Sequence, residues 1–452
     1  MRQEIVQKLE KIVGSDNCRL DAEVRNLHSL SKNSAPEAVV YPEDSRQVAD
    51  ILRLAGEEGL PVVPWGAGTM AGRGLLSLNG GLVINLTRMN KIIEYDYENM
   101  TAYVEAGIPL GELQKTLRTH NLFWPVEPVE PDTCTVGGCI AAGASGPSKL
   151  GYGDVKFHIL GLEVVLPTGE IIRTGGKTVK NVQDYDNTRF LAGSWGSLGI
   201  ITKAMLKLRP VPEKETTVFL SFKQLKEAIG AARIIRNETL PLSLELLDDN
   251  AMAVLARAGW QPPGKGAGVL VSYSGFREQV DTQVDYVKKQ FSGASILEGE
   301  KAVAAWRARR QLFPAFAGNT GAVMVSAAVP FTALEEFITR AREELDRSRK
   351  GSALISHFGN GHVHILLDAA PETYAGVQGI VNTLASLAEN LGGLLVVDNT
   401  EDLSLTRRWV EARGKAIMEL LSRIKAAFDP KGIMAPNSKV LAYVTNNSRA
   451  VS

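Results

Sequence analysis

Two strand-like runs, Leu60–Pro64 and Gly80–Leu86, are joined by Trp65-Gly66-Ala67-Gly68-Thr69-Met70-Ala71-Gly72-Arg73-Gly74. This joint constrains the chain more than any other feature, because a backbone so poor in Cβ atoms either turns sharply or approaches something closely. Gly66 to Ala71 fits the dinucleotide pattern Gly-x-Gly-x-x-Ala literally. That pattern works by opening a helix, with an acidic residue about 20 positions on. Here the glycines run on to Gly74 and lead into another strand, so no helix is expected and the Rossmann reading is rejected. Successive amides can still turn into one concavity that holds an anion such as a pyrophosphate. Taken alone, the segment fits an ordinary glycine-rich surface loop equally well.

Two further clusters change that balance. Thr135-Val136-Gly137-Gly138-Cys139-Ile140 is followed by Gly143-Ala144-Ser145-Gly146, and Gly193-Ser194-Trp195-Gly196-Ser197-Leu198-Gly199-Ile200-Ile201 precedes a strand. Three glycine clusters on separate loops suit a large, extended ligand better than a single phosphate. The second lies in a long irregular stretch, and such stretches in compact domains are usually functional.

Composition limits the class of protein. With 452 residues, 44% hydrophobic and 22% charged, the chain can bury two or three cores and is not disordered. Its 50 basic and 50 acidic residues argue against a nucleic-acid coat, so no nucleic acid is expected. Three cysteines, Cys18, Cys134 and Cys139, are too few for a disulfide framework or a four-Cys iron–sulfur cluster, and point to a reducing compartment. The first residues carry Ile5, Val6, Leu9, Ile12 and Val13 at helical spacing rather than a signal peptide. No run reaches the about 18 apolar residues of a membrane span. A cytoplasmic protein without a transmembrane segment is expected, with peripheral membrane docking through a partner left open.

Residues 36–86 read as strand, helix, strand, with Asp44 or Ser45 capping the helix and Gly59 ending it. From 90 to 212 strands dominate, with a hairpin turning at Pro167-Thr168-Gly169. Residues 213 to about 395 alternate helices with strands, including Pro241–Asp248 and the strand–turn–strand of 353–367. A last helical segment breaks at Asp429-Pro430.

The order VVPWGAGTMAG, CTVGGCIAAGASGP, YGDVKFHILGLEVVLPTGEII, KNVQDYDNTRFLAGSWGSLGIIT, closing with FDPKGIMAP, resembles the FAD-linked oxidases and dehydrogenases of the vanillyl-alcohol oxidase type. Within it the chain is most similar to the glycolate oxidase, D-lactate and D-2-hydroxyglutarate dehydrogenase branch. The resemblance implies an α+β fold. A PCMH-type FAD-binding domain of two α+β subdomains would span 1–212, an α+β cap 213–400, and a helical C-terminal segment 401–452 that returns to the FAD domain. Pro64, Trp65, Gly66, Ala67, Gly68, Thr69, Met70 and Ala71 would cradle the FAD pyrophosphate. Pro131, Thr133, Thr135, Val136, Gly137, Gly138, Gly143, Ser145, Gly199, Ile200, Ile201 and Asn437 would line its remaining path. Thr69 stands where some members carry the His that attaches flavin covalently, so noncovalent FAD is expected. Trp195 stands where the family usually has Glu, and packing is the expected role of its indole.

Three of the six histidines fall in His357-Phe358-Gly359-Asn360-Gly361-His362-Val363-His364. His362 and His364 share a strand face, and the glycine turn can bring His357 towards them. Converging imidazoles suit Zn²⁺, Fe²⁺ or Mn²⁺, or active-site use; a hairpin with partly exposed histidines is the bland alternative. The resemblance implies a divalent metal on His357, His364 and Asp398, and it places Asn399 where the family's base stands. Asn cannot accept a proton at neutral pH. His362 would then take over as base, and Arg309 of the Trp306-x-x-Arg309 segment would hold a substrate carboxylate. The implied activity is oxidation of a small 2-hydroxy acid by hydride transfer to flavin. Electrons would pass to an external acceptor: an iron–sulfur subunit, an electron-transfer flavoprotein or a quinone. The alternative is a non-catalytic or electron-relay flavoprotein subunit.

Overall fold

The computed structural model describes residues 1–30, 35–74, 80–177, 185–318, 321–370, 376–398 and 413–436. The chain forms two compact units, Met1–Gly146 with Asp154–Val211 and Arg413–Ser452, and Pro147–Gly153 with Pro212–Ala412. Both mix helices and sheets, so the fold class is α+β.

In the first unit, Ala38–Val40, Leu82–Asn85 and Val62–Trp65 lie parallel in a four-stranded sheet whose outer strand is Cys18–Arg19. The helix Ser45–Glu58 makes the crossover. Asp44 caps it by accepting from the amides of Arg46 and Gln47, and Gly59 ends it in the left-handed region. A second, antiparallel sheet runs in the order Ile92–Asp96, Thr101–Glu105, Ile200–Lys207, Ile159–Val165, Ile171–Gly175. One apolar core, including Leu9, Leu52, Ile84, Leu113, Trp124 and Val164, joins both sheets and their helices.

The C-terminal stretch completes this unit. Asp429 ends the helix Lys415–Phe428 and turns its carboxylate onto the amides of Ile433 and Met434 at 3.1 and 2.8 Å. That turn lets Met434 bridge to Val62 beside the parallel sheet, with Val62 N–H donating to Ile433 O and Ala435 N–H to Val62 O. Three residues past Val62 the first glycine loop begins, so the chain's end stiffens that loop's base.

Two local expectations are corrected. One helical turn, Ala71–Gly74, follows the first glycine loop where none was expected; its 4 residues supply little dipole. The stretch read as irregular contains the helix Val136–Ala142, capped by Thr135 and ended by Gly143 in the left-handed region.

The second unit is built on an eight-stranded antiparallel sheet. Its order is Ser295–Leu297, Lys214–Phe222, Ala267–Gly275, Ser243–Leu247, Ser352–His357, His362–Asp368, Ala322–Ala328, Leu394–Val397. Strand alternation sends Leu244, Leu246, Val363 and Ile365 to one face, under helices that include Phe337 and Leu384. Leu247, Ile355, Leu366 and Met324 go to the other, under helices that include Leu255 and Ala308. The histidine turn caps the central hairpin, with His357 opposite His362.

Candidate functional site

The three glycine clusters meet in the first unit. They wall a cleft with about 810 Å³ of open space. Their glycines are needed first for loop-to-loop contact. A Cβ on Gly66 would overlap Thr135 Oγ1, one on Gly196 would overlap Pro64, and one on Gly137 would stand 2.6 Å from the Ala106 Cβ. The third loop also caps the second: Gly193 and Trp195 donate their amides to Ile140 O and Ala141 O, each at 2.9 Å. Lys425 fixes the third loop from behind, with Nζ 2.7 Å from both Ser197 O and the Asp429 carboxylate.

Amide accounting shows where an anion would sit. The first amides of the helix Val136–Ala142 are spent within the protein, on Ile108 O, Ala106 O and Thr135 Oγ1. By contrast, the amides of Ala67, Gly68, Thr69 and Met70 donate to no backbone carbonyl among the described residues, and all four residues line the cleft. The first loop is therefore the part of the cleft fit for a pyrophosphate.

Pro64 to Ala71, Thr135, Gly137, Gly138, Gly199, Ile200 and Ile201 all line this cleft. Val136 is fully buried beneath it. Pro131, Thr133, Gly143 and Ser145 are not part of its wall, Gly143 serving as the helix stop. Asn437 lies outside the described residues. Sequence reasoning missed Leu86, Ala106, Ala141 and Ala142 as wall residues. The spacing of Gly138, Ala141 and Ala142, one small-residue face of a helix, was the available signal.

Cys134 and Cys139 also reach the wall, with Sγ atoms 3.5 Å apart. They flank the Thr135 cap at the positions where apolar residues commonly staple a helix start. The bond to Cys134, together with burial, pushes the Cys139 thiol well up, so it is a poor nucleophile.

A second cluster belongs to the second unit. Glu245, fully buried on a central strand, faces His357 across the antiparallel pair. Glu245 Oε1 lies 2.5 Å from His357 Nδ1, and Oε2 lies 2.7 Å from Arg309 Nε. Arg309 Nη2 is 3.1 Å from His357 Nε2. A guanidinium only donates, so Nε2 accepts and the ring proton sits on Nδ1, directed at Glu245. Burial would raise the Glu245 carboxyl, but Arg309 and His357 together hold it below the usual range. Beside them Ser326 Oγ bonds both His364 Nδ1, at 2.6 Å, and the Asp398 carboxylate. The His357 and His364 rings lie edge to face at 5.0 Å.

This geometry lends the metal expectation no support. His357, His364 and Asp398 do come together, but among the described residues no group of three or more His, Cys, Asp or Glu side chains is arranged to hold a metal. Both His357 nitrogens are taken, one by a carboxylate and one by a cation, and Ser326 stands between His364 and Asp398. As they stand, these donors are turned onto protein partners rather than onto a common centre. Asn399 lies outside the described residues. His362 turns Nδ1 to Asn360 O at 3.1 Å, so Nε2 carries its lone pair. Burial and then Lys149 lower its pKa, which keeps the ring neutral near pH 7.

Comparison with known proteins decides the family. Residues 36–175 match the FAD binding domain, and residues 211–438 match the C-terminal domain of FAD linked oxidases. Glycolate oxidase subunit GlcD of Bacillus subtilis is 30% identical over 418 residues, covering 89% of this chain and 88% of that protein.

The chain is an FAD-linked oxidase family member.

This FAD-linked oxidoreductase is also similar to a mitochondrial D-lactate dehydrogenase [cytochrome] of Arabidopsis thaliana, at 27% identity over 98% of this chain and 81% of the relative. A D-lactate dehydrogenase of Archaeoglobus fulgidus is 28% identical over 89% and 91%. Among solved structures, substrate-bound p-cresol methylhydroxylase superposes with a TM-score of 0.75 at 21% identity, covering 96% of both chains. An alkyldihydroxyacetonephosphate synthase does so with 0.73, covering 96% of this chain and 85% of the other. These two bear on the fold, which is of the PCMH type. No described helix of this oxidoreductase is long and apolar enough to cross a membrane.

Proposed function

We propose that the protein oxidises a small 2-hydroxy acid, of the glycolate or D-lactate kind, to the 2-oxo acid. Bound FAD, held without a covalent link because Thr69 offers none, supplies the chemistry of accepting a hydride from carbon and passing electrons on. The amides of residues 67–70 hold its pyrophosphate, and the small residues of the other two loops admit its length. In the second unit, Arg309 presents Nη1, which has no partner among the described residues, to the acid's carboxylate. Glu245 fixes the direction of that guanidinium. His362 takes the hydroxyl proton at Nε2. Electrons leave to an acceptor outside this chain, an iron–sulfur subunit, an electron-transfer flavoprotein or a quinone; the relative named as a subunit favours an assembly.

The observation that carries this reading is the cleft itself, where three loops distant in sequence close on one another around a row of amides that donate to no backbone carbonyl among the described residues. A second reading, an electron-relay or accessory flavoprotein subunit, is favoured by one observation: the charge of Arg309 is already balanced by Glu245. Turnover of a panel of D- and L-2-hydroxy acids with an artificial electron acceptor, read as 2-oxo acid formed, tests the choice. Product from at least one enantiomer supports the dehydrogenase. Failure with every acid by a fully flavinated protein supports the accessory subunit.

A further inference from the structure

Trp195 carries a side chain at a backbone position that does not suit one. Its φ is 55°, in the left-handed region, and Gly196 follows at φ 68°. A bulky residue there is a genuine outlier, and such outliers gather at ligand clamps. The surroundings hold it in place. Its amide is bonded to Ala141 O at 2.9 Å, and Gly196 is pressed against Pro64, so the turn cannot relax without parting the third loop from the other two. Glycine would meet every one of these backbone demands without strain. What glycine lacks is the indole, and the indole is spent on the cleft: Trp195 is half-buried, lines the open space, and has no aromatic partner among the described residues.

We infer that Trp195 is a ligand-binding residue, its indole a platform on which one flat ring of the dinucleotide stacks. The inference rests on the FAD reading of the cleft and adds to it a specific aromatic contact. An aromatic face suits either fused ring system of FAD, the isoalloxazine or the adenine, because both offer a π-surface.

The test is FAD binding by flavin-free full-length protein, followed through flavin emission, in wild type, Trp195→Leu and Trp195→Phe. Leucine keeps apolar bulk and the same backbone strain but has no ring face; phenylalanine keeps the face. Trp195→Leu is expected to weaken FAD about tenfold or more, and Trp195→Phe to stay within about threefold of wild type. A rise in bound-flavin emission in Trp195→Leu assigns the platform to the isoalloxazine. Unchanged emission with a matching loss of ADP competition assigns it to the adenine. If Trp195→Leu does not fold, Trp195→Gly takes its place, since the backbone favours glycine. FAD affinity equal to wild type in the folded leucine or glycine variant overturns the inference and returns Trp195 to packing. Wild-type protein that binds no FAD at all overturns the cleft reading instead.

Discussion

Glu245 and His357 are paired residues on neighbouring antiparallel strands, and their Oε1 and Nδ1 atoms lie 2.5 Å apart. The same carboxylate holds Arg309, so one buried acid sets both the tautomer of the imidazole and the direction of the guanidinium. Removing it strands a mostly buried cation. Glu245→Leu should therefore destabilise the protein by about 3–5 kcal/mol, the usual cost of breaking a buried pair from one side. Glu245→Leu combined with Arg309→Met should cost clearly less than the two single changes added together. Denaturation midpoints of the four proteins check this, and strict additivity would show the pair to be uncoupled.

Gly66 should tolerate no side chain, because its Cβ would enter the space of Thr135 Oγ1. Overpacking of this kind costs about 1–3 kcal/mol, and here it would also part the first loop from the second. Gly66→Ala should lower both thermal stability and FAD content. Gly72→Ala, where a Cβ meets nothing within 4 Å, should change neither. Equal flavin content in the two variants would remove the loop-to-loop contact from the account.

Asp248 gives a pH dependence with a definite sign. Burial, opposed by amide bonds and by Arg342, pushes its carboxyl up from 3.8 to about 6. Between those values the folded state binds the proton more tightly than the unfolded chain, so this group's contribution to stability falls as pH rises and is lowest above 6. The effect is on the order of 3 kcal/mol. Asp248→Asn, which has no charge to bury, should gain on the wild type as the medium is raised from pH 4 to pH 7. Denaturant midpoints across that range measure it; a difference that stays constant, or that shifts in favour of the wild type as pH rises, would contradict it.

Attachment of the flavin gives a simpler check. Acid or heat should release all the yellow colour into solution, since Thr69 puts a weakly nucleophilic hydroxyl where a flavin-linking imidazole would stand and the Cys139 thiol is held protonated. Colour retained on the denatured polypeptide would show a covalent bond. Gly68→Glu should abolish binding: it puts a side chain at φ 75° against the Trp65 ring and a negative charge beside the open amides.

Much of the architecture was legible because it rests on local rules. Asp44 and Gly59 bound their helix, Gly169 turns its hairpin, and the spacing of His362 and His364 puts both on one strand face. What failed to show in the sequence depends on distant partners. Val136-Gly-Gly-Cys-Ile-Ala-Ala reads as a loop, and becomes a helix because Gly137 must press on Ala106 and Thr135 caps the start. Glu245 looks like one acid in an apolar strand, and its partner His357 is 112 residues away. Ser326 is the one polar residue of the strand Ala322–Ala328, and nothing local marks it as the bridge between His364 and Asp398. The metal expectation goes unsupported on the same ground, since Glu245 and Ser326 lie far in sequence from the histidines they engage.

The proposed base should show itself without affecting the cofactor. His362→Asn removes the only proton acceptor assigned to the substrate hydroxyl and should lower turnover by roughly 10²–10⁴-fold, with flavin content unchanged. Wild-type turnover in that variant would make His362 a bystander.

The most direct test of the proposed function is an anaerobic single-turnover titration of the purified yellow protein with a panel of 2-hydroxy acids. The visible band of oxidised flavin should bleach with at least one acid, in proportion to the 2-oxo acid formed. Flavin that stays oxidised with every acid, yet is reduced by dithionite, would contradict the proposal that this chain oxidises a 2-hydroxy acid.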